Sequence, residues 1–172
     1  DVNTRFDVPH SRWNAITRQQ FDAAGLRVLV ESDTAGVHLA TSPDGLRLVF
    51  SQGHPEYDTI SLQKEFKREV LLYAAGERAD YPPFPHEYYQ VREQAVLNEY
   101  RSRLEVALES AEAIPDFPES LVAERLDNTW HDTAEAVVGN WMGTVYQVTN
   151  SDRRIPFMEG IDPGDPLGLY GR

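Results

Sequence analysis

Between Gln52 and Thr59 the sequence changes period, and this change limits the fold more than any other feature of the chain. Before it, "LRVLVES" (Leu26–Ser32), "GVHLAT" (Gly36–Thr41) and "LRLVFSQ" (Leu46–Gln52) are short, rich in Val and Leu and partly alternating, the pattern of three β-strands. The "SPDG" between the second and third runs places Pro, Asp and Gly in turn order and predicts a hairpin. After the change, Leu62, Phe66, Val70 and Tyr73 recur at helical spacing, with Asp58 or Thr59 as the expected N-cap and Gly76 as the stop.

The rest of the chain continues in helical period. "DYPPFPHEYY" predicts a proline-stiffened loop, and the stripe Leu97, Tyr100, Leu104, Ala107, Leu108 and Ala111 predicts a long acidic helix ending before Pro115. Trp130, Ala134, Val137, Val138, Trp141 and Val145 predict a last helix, in which Gly139 and Gly143 are expected to pack closely against a neighbour. Beyond Asn150 the sequence turns to Pro and Gly, with Phe157, Met158, Ile161, Leu167 and Tyr170 among them. An extended arm is expected there, lying on its own domain or on another subunit. The expected division is therefore 1–150 as one domain and 151–172 as the arm. Strands in the first half with helices between and after them give an α/β class, but three strands make an incomplete sheet.

Charge and composition narrow the function. Lys and Arg number 16 against 28 Asp and Glu, and the resulting net charge of −12 repels nucleic-acid phosphates and anionic lipid. No nucleic-acid or membrane partner is expected. No apolar run reaches spanning length and "DVNTRFDVPH" lacks the regions of a signal peptide, so a cytoplasmic location is expected. The absence of Cys excludes a disulfide framework, thiolate–metal sites and a Cys nucleophile on this chain. The five His show no H-x₃-H spacing, so no metal site is expected. The chain opens on Asp1 in dense aromatic sequence, which suggests the later part of a longer protein.

The residues at the change of period bear on chemistry. In "GHPEYD", His54 and Glu56 stand two apart across Pro55, directly after the third strand run. In extended backbone, i and i+2 project to one side, and the C-terminal ends of strands in open α/β sheets are where ligands bind. A carboxylate beside imidazole fixes its tautomer and stabilises the imidazolium, the base-and-orienter half of a nucleophilic triad. The plainer alternative is a loop His, with Glu56 favouring the positive end of the following helix. His10 and His86, each beside proline in a loop, read as structural.

The longer strings "FDVPHSRWN", "GHPEYDTISLQKEFKRE" and "NWMGTVYQVT" resemble the homoserine O-acyltransferases of the succinyltransferase type, relatives of the class I glutamine amidotransferases. The resemblance is dense from Phe6 to about Gly76 and thinner from Trp130 to Thr149. It implies a flavodoxin-like, class I glutamine amidotransferase-like three-layer α/β sandwich, of which this chain is the C-terminal part. It also implies double-displacement acyl transfer in methionine biosynthesis. A Cys takes the acyl group from acyl-CoA as a thioester, and the homoserine hydroxyl then receives it.

His54 matches the family's general base and Glu56 its partner. Ser11 and Arg12 in "PHSR" match positions lining the substrate pocket, and Arg68 in "EFKRE" matches a second substrate-binding arginine. Without the resemblance, Arg68 reads as a solvated helix residue, Arg12 as a surface ion-pair partner and Ser11 as a cap or turn residue. Guanidinium suits the task, because it binds an amino-acid carboxylate through two parallel hydrogen bonds.

No cofactor is implied beyond succinyl-CoA or acetyl-CoA as co-substrate. The implied partners are homoserine, acyl-CoA, an N-terminal Cys-bearing portion of the same enzyme, and a second copy in a homodimer. The family's nucleophile and a substrate-site Lys lie upstream of anything in this chain. The alternatives are an acetyltransferase, serine as acceptor, an amidotransferase-type hydrolase, or a non-catalytic relative whose acidic helix and arm are interaction surfaces.

Overall fold

Two hairpins fold the first strands into a sheet, and each is closed by side chains suited to its turn. The computed structural model describes residues 5–170; the first four residues and the last two of the arm lie outside it. Strand β1 (Arg27–Ser32) pairs antiparallel with β2 (Gly36–Thr41), and β2 with β3 (Val49–Ser51), giving a three-stranded sheet in the order β1-β2-β3. At the first turn Ser32 Oγ accepts from the Ala35 N–H (2.9 Å) and Gly36 takes φ +70°, where glycine carries no Cβ penalty. At the second, "SPDG" forms the predicted turn: the Gly45 N–H donates to the Ser42 carbonyl (2.8 Å), with Pro43 at its second position. Asp44 Oδ1 accepts from Ser42 Oγ and from the Leu46 and Arg47 N–H groups. Burial disfavours charge on Asp44, but these hydrogen bonds and Arg47 outweigh it and hold the carboxyl below its ordinary range.

The predicted third strand is thus shorter than its apolar run, because Asp44 and Ser42 keep residues 42–48 in the turn. The sheet is antiparallel throughout. The strand-end argument for ligand binding, which belongs to parallel sheets, therefore does not apply to it as it stands.

The chain forms two compact units, Asp1–Glu56 with Thr129–Arg172, and Tyr57–Asn128. In the first, β2 is the central strand and is buried at Val37, His38, Ala40 and Thr41, while Phe21 from α1 (Arg18–Ala23) packs on Val37 and Ala40. A capping box opens α1, with Thr17 and Gln20 each receiving the other's backbone N–H. Helix α5 (His131–Val148) follows the predicted last stripe, but Val138, Trp141, Met142 and Tyr146 are exposed. Nothing among the described residues lies within 4 Å of a Cβ placed on Gly139 or Gly143, so the expected close packing there is not made among them. The arm lies on its own unit. Thr149 bridges Phe157, Arg47 donates to the Pro163 carbonyl, and Leu167 and Leu169 cover Gly45.

The second unit is helical. Helix α2 (Ser61–Ala74) buries Gln63, Phe66 and Val70, and α3 (Val91–Ser110) buries Glu93, Leu97, Tyr100, Leu104 and Ala107. A short α4 (Glu119–Ala123) contributes Val122. Phe66 is the hub, with ring centroids of Phe84, Tyr89, Tyr81 and Phe117 at 5.4, 5.7, 6.1 and 6.3 Å. Such edge and tilted contacts add to the burial of the rings.

Three local expectations are corrected. The N-cap of α2 is Ile60, without a side-chain cap bond; Asp58 instead closes a turn through its carbonyl to the Ser61 N–H. Gln63, rather than Leu62, is the deepest residue of the first turn, because its amide donates to the Glu119 carbonyl (2.9 Å). In α3, Leu108 is exposed and Ala111 leaves the stripe as a left-handed C-cap (φ 53°). The stop at Gly76 holds: with φ +74°, its N–H and that of Glu77 bond back to Tyr73 and Leu72 as in a Schellman motif.

Replacing Leu97, which is fully buried, by Ala is expected to cost about 2–5 kcal/mol in urea denaturation. Leu108→Ala, on the same helix but exposed, is expected to change stability by no more than about 0.5 kcal/mol.

Candidate active site

The site begins with a close approach of two segments that are far apart in sequence. After β3, the Gln52 N–H donates to the His38 carbonyl on β2 (2.8 Å), continuing the ladder by one bond. The Gln52 side chain then turns to the N-terminal segment. Its Oε1 accepts from the Ile16 N–H (2.7 Å), and its Nε2 donates to the carbonyls of Ile16 (2.8 Å) and Val37 (2.9 Å). One residue on, buried Gly53 lies so close to that segment that a Cβ would stand 2.6 Å from Val8 Cγ1, 2.7 Å from His38 Nδ1 and 2.9 Å from His10 Nε2. Glycine is required there by space, not by φ. The His54 N–H then donates to the Pro9 carbonyl (2.7 Å).

This stitching sets His54 between two acceptors. Its Nδ1 lies 2.9 Å from Glu56 Oε1, and its Nε2 lies 3.1 Å from the Ser11 carbonyl oxygen. The pairing expected of His54 and Glu56 is present, although it arises in a turn beyond the strand rather than from extended backbone. The imidazolium can donate to both oxygens. A neutral ring that donates Nδ1–H to Glu56 presents its Nε2 lone pair, the form in which a base takes a proton. Burial opposes charge on Glu56, but the hydrogen bonds from His54 and from its own backbone N–H outweigh it, so the carboxyl sits below its ordinary range. It is therefore an anion near neutrality, able to orient the ring and stabilise its cation.

Ser11 and Arg12 join this group. Ser11 supplies its carbonyl to His54, and Arg12 directs Nη1 to His10 Nδ1 and Nη2 to the Ala35 carbonyl in the β1–β2 turn. Arg68 belongs to the other unit, on an exposed face of α2, where its Nη2 lies 3.2 Å from Glu69 Oε1. It lines an open groove of about 380 Å³ with Lys64, Lys67, Leu71, Leu72, Ala75 and Glu77.

Sequence reasoning missed two residues here. His10, read as structural, touches Arg12, and its ring meets His38 edge-on at 5.6 Å. Burial, then the charges of Arg12, His38 and His54, lower the His10 pKa to about 4. His38 is lowered as well, by burial first and then by Arg12. Both rings are neutral at physiological pH. No spacing rule could bring these residues together, since the β2–β3 register and the Gln52 clamp set their proximity.

Residues 1–151 match the family described as homoserine O-succinyltransferase (HTS). The homoserine O-succinyltransferase of Allochromatium vinosum is 64% identical over 169 residues, covering 98% of this chain and 47% of that protein. That of Nitrosococcus oceani is 60% identical over 168 residues, with 98% and 47% covered. That of Cardiobacterium hominis is 48% identical over 172 residues, with 100% and 47% covered. The chain spans about half the length of the curated relatives it matches.

Gly53→Ala tests the close approach. The added Cβ must displace Val8, His38 or His10, with an expected cost of about 1–3 kcal/mol, the range for overpacking. Thermal denaturation should show the loss, while Gly139→Ala, at a site with open space, should not lower stability.

Proposed function

The chain belongs to the homoserine O-succinyltransferase family, and from that premise we propose that it is the C-terminal portion of an acyltransferase passing the succinyl group of succinyl-CoA to the hydroxyl of homoserine, in methionine biosynthesis. The observation that carries the proposal is the His54–Glu56 hydrogen bond, which supplies a base and its orienting carboxylate in a chain of this family. The relatives' names favour succinyl over acetyl as the acyl group. The nucleophile is a Cys of the remaining half, since none of these 172 residues is Cys.

In the first half-reaction, His54 Nε2 takes the thiol proton and the thiolate attacks the thioester carbonyl carbon. The C–S bond to CoA breaks, and the departing CoA sulfur takes the proton from the imidazolium. In the second, Nε2 takes the homoserine hydroxyl proton as its oxygen attacks the acyl-enzyme. The Cys sulfur leaves and takes the proton back from the imidazolium, which restores thiol and neutral ring, and O-succinylhomoserine is released. Glu56 holds Nδ1–H and stabilises each imidazolium. In the base form Nε2 carries a lone pair and makes no hydrogen bond to the Ser11 carbonyl 3.1 Å away, so this carbonyl must turn aside as the thiol approaches. Arg12 offers guanidinium for the acceptor's carboxylate; Arg68, in the helical unit, is proposed as a second substrate-binding arginine.

Residues 1–150 then form part of a glutamine amidotransferase-like catalytic domain. The three-stranded sheet and α5 are a fraction of its layers, completed by the other half. Uncovered apolar side chains support this, namely Leu48, Val49 and Phe50 at β3 and Val138, Trp141 and Met142 on α5. Hydrophobic surface of this extent is stabilised by burial.

Brief incubation of the complete enzyme with succinyl-CoA should give a covalent succinyl adduct on a Cys outside these residues, by mass spectrometry. No adduct anywhere, or one on Ser11, would reject double displacement. His54→Ala in the complete enzyme is expected to lower turnover by roughly 10²–10⁴-fold with the circular dichroism spectrum retained. Arg68→Ala should raise the KM for homoserine far more than that for acyl-CoA, by the roughly 1.5–3 kcal/mol of a lost charge-assisted hydrogen bond.

A further inference from the structure

We propose that His10 is a positioning residue for the acceptor site: its imidazole accepts a hydrogen bond from Arg12 and, with the Ala35 carbonyl, sets the direction in which the guanidinium fork faces the substrate carboxylate. The inference rests on the reading of Arg12 as a substrate-binding arginine. It begins with donor counting. Guanidinium has five N–H donors and no acceptor, so its partner on His10 Nδ1 is a lone pair. His10 is therefore the neutral ring with its proton on Nε2. Arg12 spends one Nη1 proton on His10 and one Nη2 proton on Ala35, both within the fold. Three donors, on Nε, Nη1 and Nη2, are left for a bidentate carboxylate.

His10 is itself held on several sides. The His38 ring stands edge-on to it, and Phe6 stands edge-on to His38 at 6.3 Å. Gly53 leaves no room behind Nε2. The neighbouring Pro9 carbonyl accepts from the His54 backbone N–H, and the Ser11 carbonyl faces His54 Nε2 at 3.1 Å. Residues 9–12 thus alternate between gripping the base and directing Arg12. A shift of His10 moves Arg12 relative to His54.

The charges facing His10 keep it in the accepting state. Arg12 lies beside it, His38 faces it from β2 and His54 from the turn after β3; burial and these three groups depress its protonation to about pH 4. Glu56 faces His54 and screens that contribution when the ring is charged. In the unfolded chain His10 regains its ordinary value of 6.5. As pH falls from 6.5 towards 4, the unfolded state therefore binds a proton that the folded state does not, and stability declines across that window. Below it, protonated His10 repels Arg12.

Two measurements on the complete enzyme test the proposal. In ¹⁵N-resolved imidazole NMR, His10 should be neutral with its proton on Nε2 down to about pH 5 and titrate near 4, and Arg12→Gln should move that titration upward. Titration near 6.5, a proton on Nδ1, or no response to Arg12→Gln would overturn the contact. In kinetics, His10→Leu should raise the homoserine KM by about tenfold or more, with kcat changed much less. His10→Asn, whose Oδ1 replaces Nδ1 as acceptor, should restore most of the loss. Equal losses in Leu and Asn, or a loss falling on kcat alone, would overturn the positioning role. If the complete enzyme does not acylate homoserine, the function proposed above fails and takes the positioning role with it; the NMR result still decides whether His10 holds Arg12.

Discussion

The hydrogen bond from the His54 N–H to the Pro9 carbonyl, at 2.7 Å, forms only because the chain at Gly53 carries no Cβ. Everything proposed for the first unit's site depends on this approach. A side chain at position 53 would push away the three groups that meet there, Val8, His10 and His38. The base would then lose its backbone anchor, the Ser11 carbonyl would leave Nε2, and Arg12 would lose the imidazole that receives it. Gln52 reinforces the contact by bonding Ile16 and Val37 at once, so the N-terminal segment is tied to β2 as well as to the turn.

Around this contact the electrostatics divide into two kinds of imidazole. His54 faces two oxygens, Glu56 Oε1 and the Ser11 carbonyl, to which both ring nitrogens can donate in the imidazolium that the proposed mechanism forms. His10, partly buried, and His38, buried, lie in the field of the Arg12 guanidinium, and both are held neutral. In a chain of net charge −12, the Arg12 guanidinium thus stands beside two neutral rings.

The second unit is organised by different means. Its core is an aromatic cluster on Phe66, closed by Leu97, Tyr100 and Leu104 from the long acidic helix. Arg68 is carried on the same helix as Phe66 but on its exposed face, so the core and the side chain proposed to bind substrate share one helix. Precision of this kind is what a substrate-binding arginine needs, since misplacement by an ångström is expensive in rate.

The sequence by itself determined the elements that local chemistry controls. The strand runs, the Pro43–Gly45 turn, the Gly76 stop and the helical stripes could be read because period 2, period 3.6 and turn stereochemistry act over a few residues. The pairing of His54 with Glu56 was legible for the same reason, and their likeness to a known family gave the pair a chemistry that two residues alone could not. Tertiary structure decided what depends on distant partners. It made the sheet antiparallel, chose Gln63 over Leu62 because Glu119 supplied an acceptor, and left Leu108 and the α5 glycines uncovered. Above all, it drew His10 and His38 to Arg12. Hydrophobic periodicity ranks burial along one element, but which polar groups meet is fixed by strand register and by a clamp spanning 36 residues, from Gln52 to Ile16. No local pattern encodes that meeting.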